Sequence, residues 1–213
     1  MTECDRSTPT DPMSQNLESR QIPERRILSP NSEDEALRDL MVQYQAGSLQ
    51  AFRELYAHLA PDLRRYVRFL TRGSDAADDL LQEAFLQLHR SRAAYNPAYA
   101  VRPWTFGLAR NVCLMNRRAM RRWARIHTVG GDLPDVPVPP EVERLADADA
   151  VRRCLAELPA DHAEALTLHH VWGFSFGEIA GMLGLTAVAA RARASRGMTR
   201  LRAELERLSS SRP

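Results

Sequence analysis

The chain has 213 residues, of which 44% are hydrophobic and 26% are charged. This length and hydrophobic content allow one or two globular domains, and they exclude a wholly disordered or fibrous chain. The net charge is +2, from 29 basic and 27 acidic residues, and every basic residue is arginine. An average this close to neutral identifies no partner, because it can hide blocks of opposite charge.

Charge is distributed unevenly along the chain. Residues 102 to 125 hold seven arginines and no acid, a local charge of +7. Residues 132 to 149 hold six acids against one arginine, and residues 191 to 207 hold six arginines against two glutamates. Two basic blocks separated by an acidic block suggest two contact surfaces for a polyanion such as nucleic acid. On charge alone, solvated helix faces in an arginine-rich protein remain the alternative.

Cysteine, histidine and hydropathy patterns argue against several classes of protein. The three cysteines show no CxxC spacing and no even framework, which favours reduced thiols in a cytosolic protein. His162, His169 and His170 lack an acid or a cysteine at ligand spacing, so we expect no metal site and no cofactor. No stretch approaches the roughly 20 apolar residues of a membrane span, and we find no apolar signal core near the N-terminus.

The N-terminal part of the chain divides into a tail and two helices. Residues 1 to 32 combine prolines with polar residues and almost no aliphatic periodicity, which predicts a disordered tail. The pattern becomes helical from Glu33. Apolar residues at helical spacing on both sides of Pro61 predict two amphipathic helices that meet at a proline-marked turn.

Two further helices are expected in this half. A third helix should begin after Gly73, with Ser74 or Asp75 as its N-cap. A fourth should run from about Arg102 to Arg125, with Pro103 in its first turn, where proline is favoured.

The C-terminal half begins with a linker. Residues 129 to 143 hold two adjacent glycines and a run rich in proline, which is typical of a semi-extended connection. Helical spacing resumes near Val151 and continues to Leu208, and strand-like alternation is absent. The chain is therefore predicted to be all-α, with two small helical domains joined by a flexible linker. The expected divisions are a tail (1–32), a first domain (33–126), a linker (127–147), a second domain (148–208) and a short tail (209–213).

The sharpest local pattern lies between Gly173 and Thr186. Ser175 with Glu178 three residues later forms a capping box. Gly184 permits a turn and Thr186 can cap the next helix, which together give the layout of a helix-turn-helix. A generic helical hairpin is the alternative. The second helix carries side chains able to reach phosphates and base edges in a major groove: Arg191, Arg193, Ser195, Arg196 and Arg200.

Acidic side chains crowd the third predicted helix with no cation among them. These residues are Asp75, Asp78, Asp79 and Glu83. Like charges at i, i+4 each cost about 0.2 to 0.5 kcal/mol, part of which the helix dipole offsets near the N-terminus. Capping accounts for the first two acids and poorly for Glu83. The carboxylate face, which includes Gln82 and is flanked by Leu80 and Leu81, is a candidate docking surface for a basic protein.

An aromatic loop, residues 95 to 104, leads into the arginine-rich fourth helix. Unstacked bases can lie on aromatic rings while guanidinium groups hold the backbone, so this combination suits single-stranded DNA. The alternative is that Trp104 and Phe106 belong to the core. The candidate DNA-binding residues are Tyr95, Asn96, Trp104, Arg110, Asn111, Arg117, Arg118, Arg121 and Arg122.

These segments resemble the extracytoplasmic-function (ECF) sigma factors of the sigma-70 family. Residues 75 to 88, the triplet Tyr95-Asn-Pro and residues 104 to 111 are similar to region 2, and residues 173 to 202 are similar to the helix-turn-helix of region 4. The resemblance covers roughly residues 35 to 208. It implies a dissociable, cytoplasmic, non-catalytic subunit of RNA polymerase that directs promoter-specific initiation.

The resemblance also implies roles for individual segments. In this family, the segment at residues 78 to 83 docks on the clamp helices of the polymerase largest subunit, and the flap is a further contact. The loop and helix at residues 95 to 122 melt and read the minus-10 element, and the second helix of region 4 reads the minus-35 element. An anti-sigma factor, often membrane-associated, occludes both domains until a signal releases them. The implied docking residues are Asp78, Asp79, Leu80, Leu81, Gln82, Glu83 and Phe85, and Thr186 joins the minus-35 set.

The second helix of region 4 departs from the family pattern. Where the family usually has Gly-Thr-Val-Lys-Ser-Arg-Leu, residues 188 to 194 here are Val-Ala-Ala-Arg-Ala-Arg-Ala. Alanine is the best helix former, so the helix should form, but we expect unusual minus-35 affinity or specificity.

Two other functional classes are open at this point. One is a helix-turn-helix regulator that is not a polymerase subunit, which the acidic helix and the aromatic loop disfavour. The other is a helical enzyme, for which the sequence offers no acid/base or metal constellation.

Overall fold

The structure, a computed structural model, describes residues 32–127 and 148–210. Within these two ranges the chain is helical and has no strand, which confirms the predicted all-α class. The predicted N-terminal tail up to residue 31 and the linker at 128–147 lie outside the described residues. The helices are α1 (Ser32–Gln45), α2 (Leu49–Leu70), α3 (Ala77–Ser91), a 3-10 turn (Arg92–Ala94), α4 (Val101–His127), α5 (Ala148–Glu157), α6 (Ala160–His170), α7 (Phe176–Leu183) and α8 (Ala187–Ser210).

The first helical unit is built around α2, which packs against α1, α3 and α4. Its apolar stripe faces inward, and the largest buried side chains of the unit include Tyr66 and Phe106, whose rings stack 4.9 Å apart. α4 begins at Val101 with Pro103 in its first turn, as predicted.

Pro61 lies inside α2, so the turn predicted at this residue is wrong. Proline removes one backbone hydrogen bond and costs a helix interior about 3 kcal/mol. The buried face nevertheless continues across it, with Leu59 before the proline and Leu63 after it, both 2% exposed. Burial of this continuous apolar stripe outweighs the cost of the proline.

α3 begins at Ala77, later than predicted, and neither Ser74 nor Asp75 is its N-cap. The chain leaves α2 through two residues with positive φ, Arg72 at 52° and Gly73 at 75°. This turn uses the Ser74 hydroxyl inside the connection, where it accepts a 3.4 Å hydrogen bond from a backbone N–H two residues on. Asp75 therefore precedes the helix and does not belong to its carboxylate face.

The second unit comprises α5 to α8, and α6 lies at its centre. Every residue of α6 from Ala163 to Leu168 is buried, as expected of a helix with neighbours on all sides. α6 crosses α8 closely at Gly197, where an added Cβ would lie 2.9 Å from the backbone carbonyl oxygen of His162.

The two units pack directly against one another, mainly through α4 and α7. Trp172, at the end of α6, lies 5.2 Å from the ring of Tyr66 and 5.7 Å from the ring of Phe106. Phe174 also contacts Phe106, at 4.9 Å. Residues of both units thus form one continuous core. Among the described helices, none has the length and apolar character needed to cross a membrane.

Candidate functional site

Two of the three carboxylates of α3 have arginine partners that the linear pattern did not reveal. Asp78 lies 3.2 Å from Arg64 of α2, and Glu83 lies 3.0 Å from Arg90, the penultimate residue of α3. These partners relieve the like-charge repulsion expected from the sequence, although exposed pairs contribute little stability. Asp79 is exposed and forms no ion pair with the described residues.

The predicted docking set divides into supporting and exposed residues. Leu80, Leu81 and Phe85 are buried in the core, where they anchor α3. Asp78, Asp79 and Gln82 are exposed and Glu83 is half-buried, so these are the residues that a partner can reach.

Two exposed apolar side chains accompany these carboxylates, and sequence reasoning missed both. Tyr56 of α2 and Leu86 of α3 are 41% and 42% exposed. The Tyr56 ring lies 4.5 Å from the ring of Phe85, and Leu86 shares the helix face of Asp79 and Gln82 at about 100° per residue. The surface is therefore both acidic and apolar.

The loop before α4 is held by its own hydrogen bonds. Tyr95 is buried, donates a 2.6 Å hydrogen bond to the carbonyl of Tyr99 and lies 5.0 Å from the ring of Trp104. Burial raises the pKa of Tyr95 to about 12, so the phenol stays protonated. Asn96 is exposed, and its side-chain oxygen accepts a 2.9 Å hydrogen bond from the N–H of Ala98. Tyr95 thus supports the loop, whereas Trp104 is only half-buried.

The middle of α4 carries an exposed cationic face. The four arginines of this face form no ion pair with the described residues. Asn111 lies half-buried on the same helix, one and a half turns before the first of them. Exposed Met115 and Met120 lie among them. The arginines are Arg117, Arg118, Arg121 and Arg122.

Arg110 differs from the other arginines of α4 because it is turned into the contact between the two units. Its Nε donates a 2.7 Å hydrogen bond to Oε1 of Glu164 on α6, and its Nη2 donates a 3.3 Å bond to Oε2. The hydroxyl of Tyr66 donates to the same Oε1 at 2.8 Å. Glu164 is buried, and these three donors satisfy its charge.

This buried cluster shifts the pKa values of the groups around it. Burial raises the pKa of Tyr66 well above its usual value, and the negative charge of Glu164 adds to that shift. Burial also raises the pKa of the Cys113 thiol to about 12, again with a contribution from Glu164. Burial alone would lower the pKa of Arg110, but Glu164 raises it by more, so the guanidinium stays charged.

The two ends of α7 and the start of α8 have the geometry that the sequence predicts. Ser175 Oγ accepts a 3.3 Å hydrogen bond from the N–H of Glu178, whose carboxylate accepts a 2.8 Å bond from the N–H of Ser175. Gly184 adopts a left-handed φ of 68°, and Thr186 Oγ1 accepts a 3.2 Å bond from the N–H of Ala189. The capping box, the glycine turn and the threonine cap are confirmed.

α8 packs against the rest of the second unit through small residues, and it presents most of its predicted arginines to solvent. Ala190 and Ala194, which replace larger residues of the family pattern, are fully buried. Arg191 is exposed, with its guanidinium carbon 5.2 Å from the ring centre of Phe176. Arg193 instead turns toward α6, where it lies 3.5 Å from Asp161. The remaining exposed members of the predicted set are Thr186, Ser195, Arg196 and Arg200.

Comparison with known proteins relates these surfaces to two established regions. Sigma-70 region 2 matches residues 55–124, and sigma-70 region 4 matches residues 148–201. The RNA polymerase sigma factor CarQ of Myxococcus xanthus is 34% identical over 168 residues, which cover 76% of this chain and 93% of CarQ. The ECF sigma factor SigM of Mycobacterium tuberculosis is 32% identical over 164 residues, which cover 76% of this chain and 81% of SigM. The chain belongs to the ECF sigma factors.

Two solved structures share the fold of this sigma factor. CnrH in complex with the cytosolic domain of CnrY gives a TM-score of 0.59 at 24% identity, covering 80% of this chain and 97% of that one. RpoE of Bartonella quintana in complex with the anti-sigma factor NepR gives 0.66 at 24% identity, covering 74% and 98%. As a sigma factor, the protein binds RNA polymerase core and directs promoter-specific initiation.

The residues that join the two regions of this sigma factor were not found from the sequence. Glu164 is the one charged residue in the run from Ala163 to Leu168, a signal that could have marked it as a buried ion.

The enzyme alternative requires a metal constellation or a pocket that joins Asp79 or Glu83 to a histidine. The described residues contain no group of three or more side chains placed to bind a metal ion. Two clefts of about 240 and 280 Å³ lie beside His169, and neither is lined by Asp79 or Glu83.

Proposed function

We propose that region 2, extending over residues 33–126, docks on RNA polymerase core through the side of α3 that carries Asp79 and Gln82. Tyr56 and Leu86 would add apolar contacts, because an interface needs a desolvated centre as well as charges. Asp78 and Glu83 would contribute after exchanging their arginine partners, which exposed pairs do at little cost. Leu80, Leu81 and Phe85 act through α3 by holding it in place.

The cationic face of α4 is proposed to hold DNA at the minus-10 element. Arg117, Arg118, Arg121 and Arg122 are long, exposed and close together, which suits phosphate contacts. Trp104 offers part of its ring for stacking a base, and exposed Asn96 lies in the same loop. Asn111 lies on the same helix, and Tyr95 supports the loop from below. Arg110 would join this surface only after leaving Glu164.

Region 4, over residues 148–208, is proposed to read the minus-35 element as duplex through α8. Thr186 starts the helix, and the arginines exposed along α8 can reach phosphates on both sides of a major groove. Arg193 would have to leave Asp161 to take part. Ser195 offers a hydroxyl that can donate to a base edge or accept from one.

Control by an anti-sigma factor is proposed by similarity to the two solved complexes. RpoE was solved with the anti-sigma factor NepR, and CnrH with the cytosolic domain of CnrY. We infer a cytoplasmic location, where RNA polymerase acts, a membrane-associated controller, and no catalytic chemistry in the chain itself.

One observation carries this proposal: exposed arginine surfaces on two different regions, α4 and α8, occur together with an acidic and apolar surface on α3. The test is transcription from a promoter library by core polymerase with and without the protein. We expect specific start sites only when the protein is present. A protein that binds DNA but gives core polymerase no new start sites would contradict the proposal.

A further inference from the structure

One side of α8 faces solvent and has small, uncharged side chains along its centre. At about 100° per residue, Val188, Ala192, Ser195 and Thr199 fall within about 60° of one another. The buried Ala190, Ala194 and Gly197 lie on the opposite side. We call the first set the central strip of α8.

Val188 is the outstanding member of this strip. It is 79% exposed, more than any other large hydrophobic side chain in the described part of the chain. Its neighbours Ala187 and Ala189 are too small to cover it. An isopropyl group in this setting gains nothing for the isolated protein, because burial is what makes an apolar side chain stabilising.

Arginines border the central strip on both sides. Arg191 lies on one edge, held near the ring of Phe176 at 5.2 Å, and Arg196 lies on the other. In a major groove, cations on the two edges of a helix reach the phosphates of the two strands, while the centre faces base edges. Since the N-terminal residues of such a helix contact the bases, Val188 is placed at base level.

The chemistry of valine limits what it can contact there. Its side chain has no donor or acceptor, so it can gain only from an apolar group. In the major groove the apolar group of the four standard bases is the C5-methyl of thymine. The residue also departs from the ECF pattern, which usually has glycine at residue 188.

We propose that Val188 contacts the C5-methyl group of a thymine in the minus-35 element and makes promoter choice depend on that methyl. The inference rests on the proposed reading of duplex DNA by α8. It assigns a specificity-determining residue at a position where the family pattern usually has glycine.

The test begins with holoenzyme reconstituted from core polymerase and the full chain. Promoters are selected from a duplex library randomised at the minus-35 element, and each thymine of the selected element is then replaced by deoxyuridine, which lacks only the methyl. We expect one replacement to weaken binding about fourfold, the effect of removing one methyl from an apolar contact. The variant Val188→Ala should bind the thymine and deoxyuridine promoters equally.

Two controls separate the possible failures. Val42→Ala makes the same change at a 43% exposed valine of α1 and should keep the full response to deoxyuridine. If no replacement affects the wild-type protein, or if Val188→Ala keeps the response, the methyl contact is wrong while the reading by α8 stands. If selection enriches no minus-35 sequence, both the inference and the minus-35 part of the proposed function are overturned.

Discussion

The guanidinium of Arg110 donates two hydrogen bonds to the carboxylate of Glu164, one of 2.7 Å from Nε and one of 3.3 Å from Nη2. Arg110 lies on the helix proposed to hold minus-10 DNA, and Glu164 lies on the central helix of region 4. The pair is buried and is completed by the Tyr66 hydroxyl. Arg110 cannot bind Glu164 and DNA at the same time. The compact arrangement of the two regions therefore holds back a candidate DNA-binding residue.

The first prediction concerns this ion pair. Glu164→Ala should lower the free energy of unfolding by about 3 to 5 kcal/mol, because it leaves the Arg110 charge buried without a partner. Urea unfolding followed by circular dichroism measures this. Glu157→Ala, which removes an exposed carboxylate of α5, is the control and should change stability by less than about 0.5 kcal/mol. Equal effects of the two variants would mean that the pair contributes nothing.

The Cys113 thiol provides a second measurement at the same contact. Its pKa of about 12, raised by burial, leaves almost no thiolate at pH 8. Alkylation by iodoacetamide, followed on the Cys113 peptide by mass spectrometry, should be at least about 100-fold slower in the folded protein than in urea, because only the thiolate reacts. Glu164→Ala should accelerate it by opening the contact. Rapid alkylation of the folded wild-type protein would contradict the burial.

The raised pKa of the Cys113 thiol also makes the free energy of unfolding depend on pH. The unfolded thiol releases its proton near pH 8.5, whereas the folded thiol keeps it until about pH 12. Between these values the folded state binds more protons, so the free energy of unfolding falls as pH rises. Cys113→Ala should flatten this fall between pH 8 and 9.5, where tyrosines still contribute little. An unchanged slope would exclude the thiol as its source.

Local patterns predicted the start of α7 and the turn between α7 and α8 because the determinants of both are short-range. The bond between Ser175 and Glu178 spans three residues, and the left-handed conformation of Gly184 depends on the absence of a side chain. No distant contact has to be known for these. The same holds for the all-α class, which follows from periodicity.

Errors arose where burial between distant segments decides the outcome. Pro61 predicts a turn by itself, yet α2 continues because its stripe packs on three other helices. Ser74 is a good N-cap by type, but the left-handed residues before it redirect the chain. The contact between Arg110 and Glu164 joins residues that are 54 positions apart. Its only signal in the sequence is an acid in a run that is otherwise uncharged.

The docking surface on α3 gives the third prediction. Asp79→Arg should weaken binding of the sigma factor to core polymerase at least about tenfold, because it reverses an exposed carboxylate that forms no ion pair with the described residues. Surface plasmon resonance with immobilised core measures the affinity. Asp39→Arg makes the same change in net charge on the exposed side of α1 and should leave affinity unchanged. If both variants bind like the wild-type protein, α3 is not the docking surface.

The fourth prediction concerns the cationic face of α4. Replacing both Arg117 and Arg121 by Ala should reduce the slope of log affinity against log salt by about 1.8 for duplex contacts, or about 1.4 for single-stranded contacts. Holoenzyme binding to a promoter between 50 and 200 mM salt, about a fourfold range, measures the slope. Arg53→Ala removes an exposed cation of α2 and should not change it. A slope that the double variant leaves intact would mean that these side chains do not touch phosphates.

The last prediction tests how α8 is seated on α6. At Gly197 an added Cβ would lie 2.9 Å from the carbonyl oxygen of His162, and a backbone atom cannot move aside cheaply. Gly197→Ala should therefore destabilise region 4 by about 1 to 3 kcal/mol despite the better helix propensity of alanine. Gly177→Ala on α7 is the matched control, since its nearest neighbour is the Ser175 hydroxyl at 3.9 Å. That variant should keep or raise stability, because alanine lowers the entropy of the unfolded chain. Equal melting temperatures for the two variants would show that the two helices separate easily, and the exposed strip of α8 would then lack the fixed support that groove reading requires.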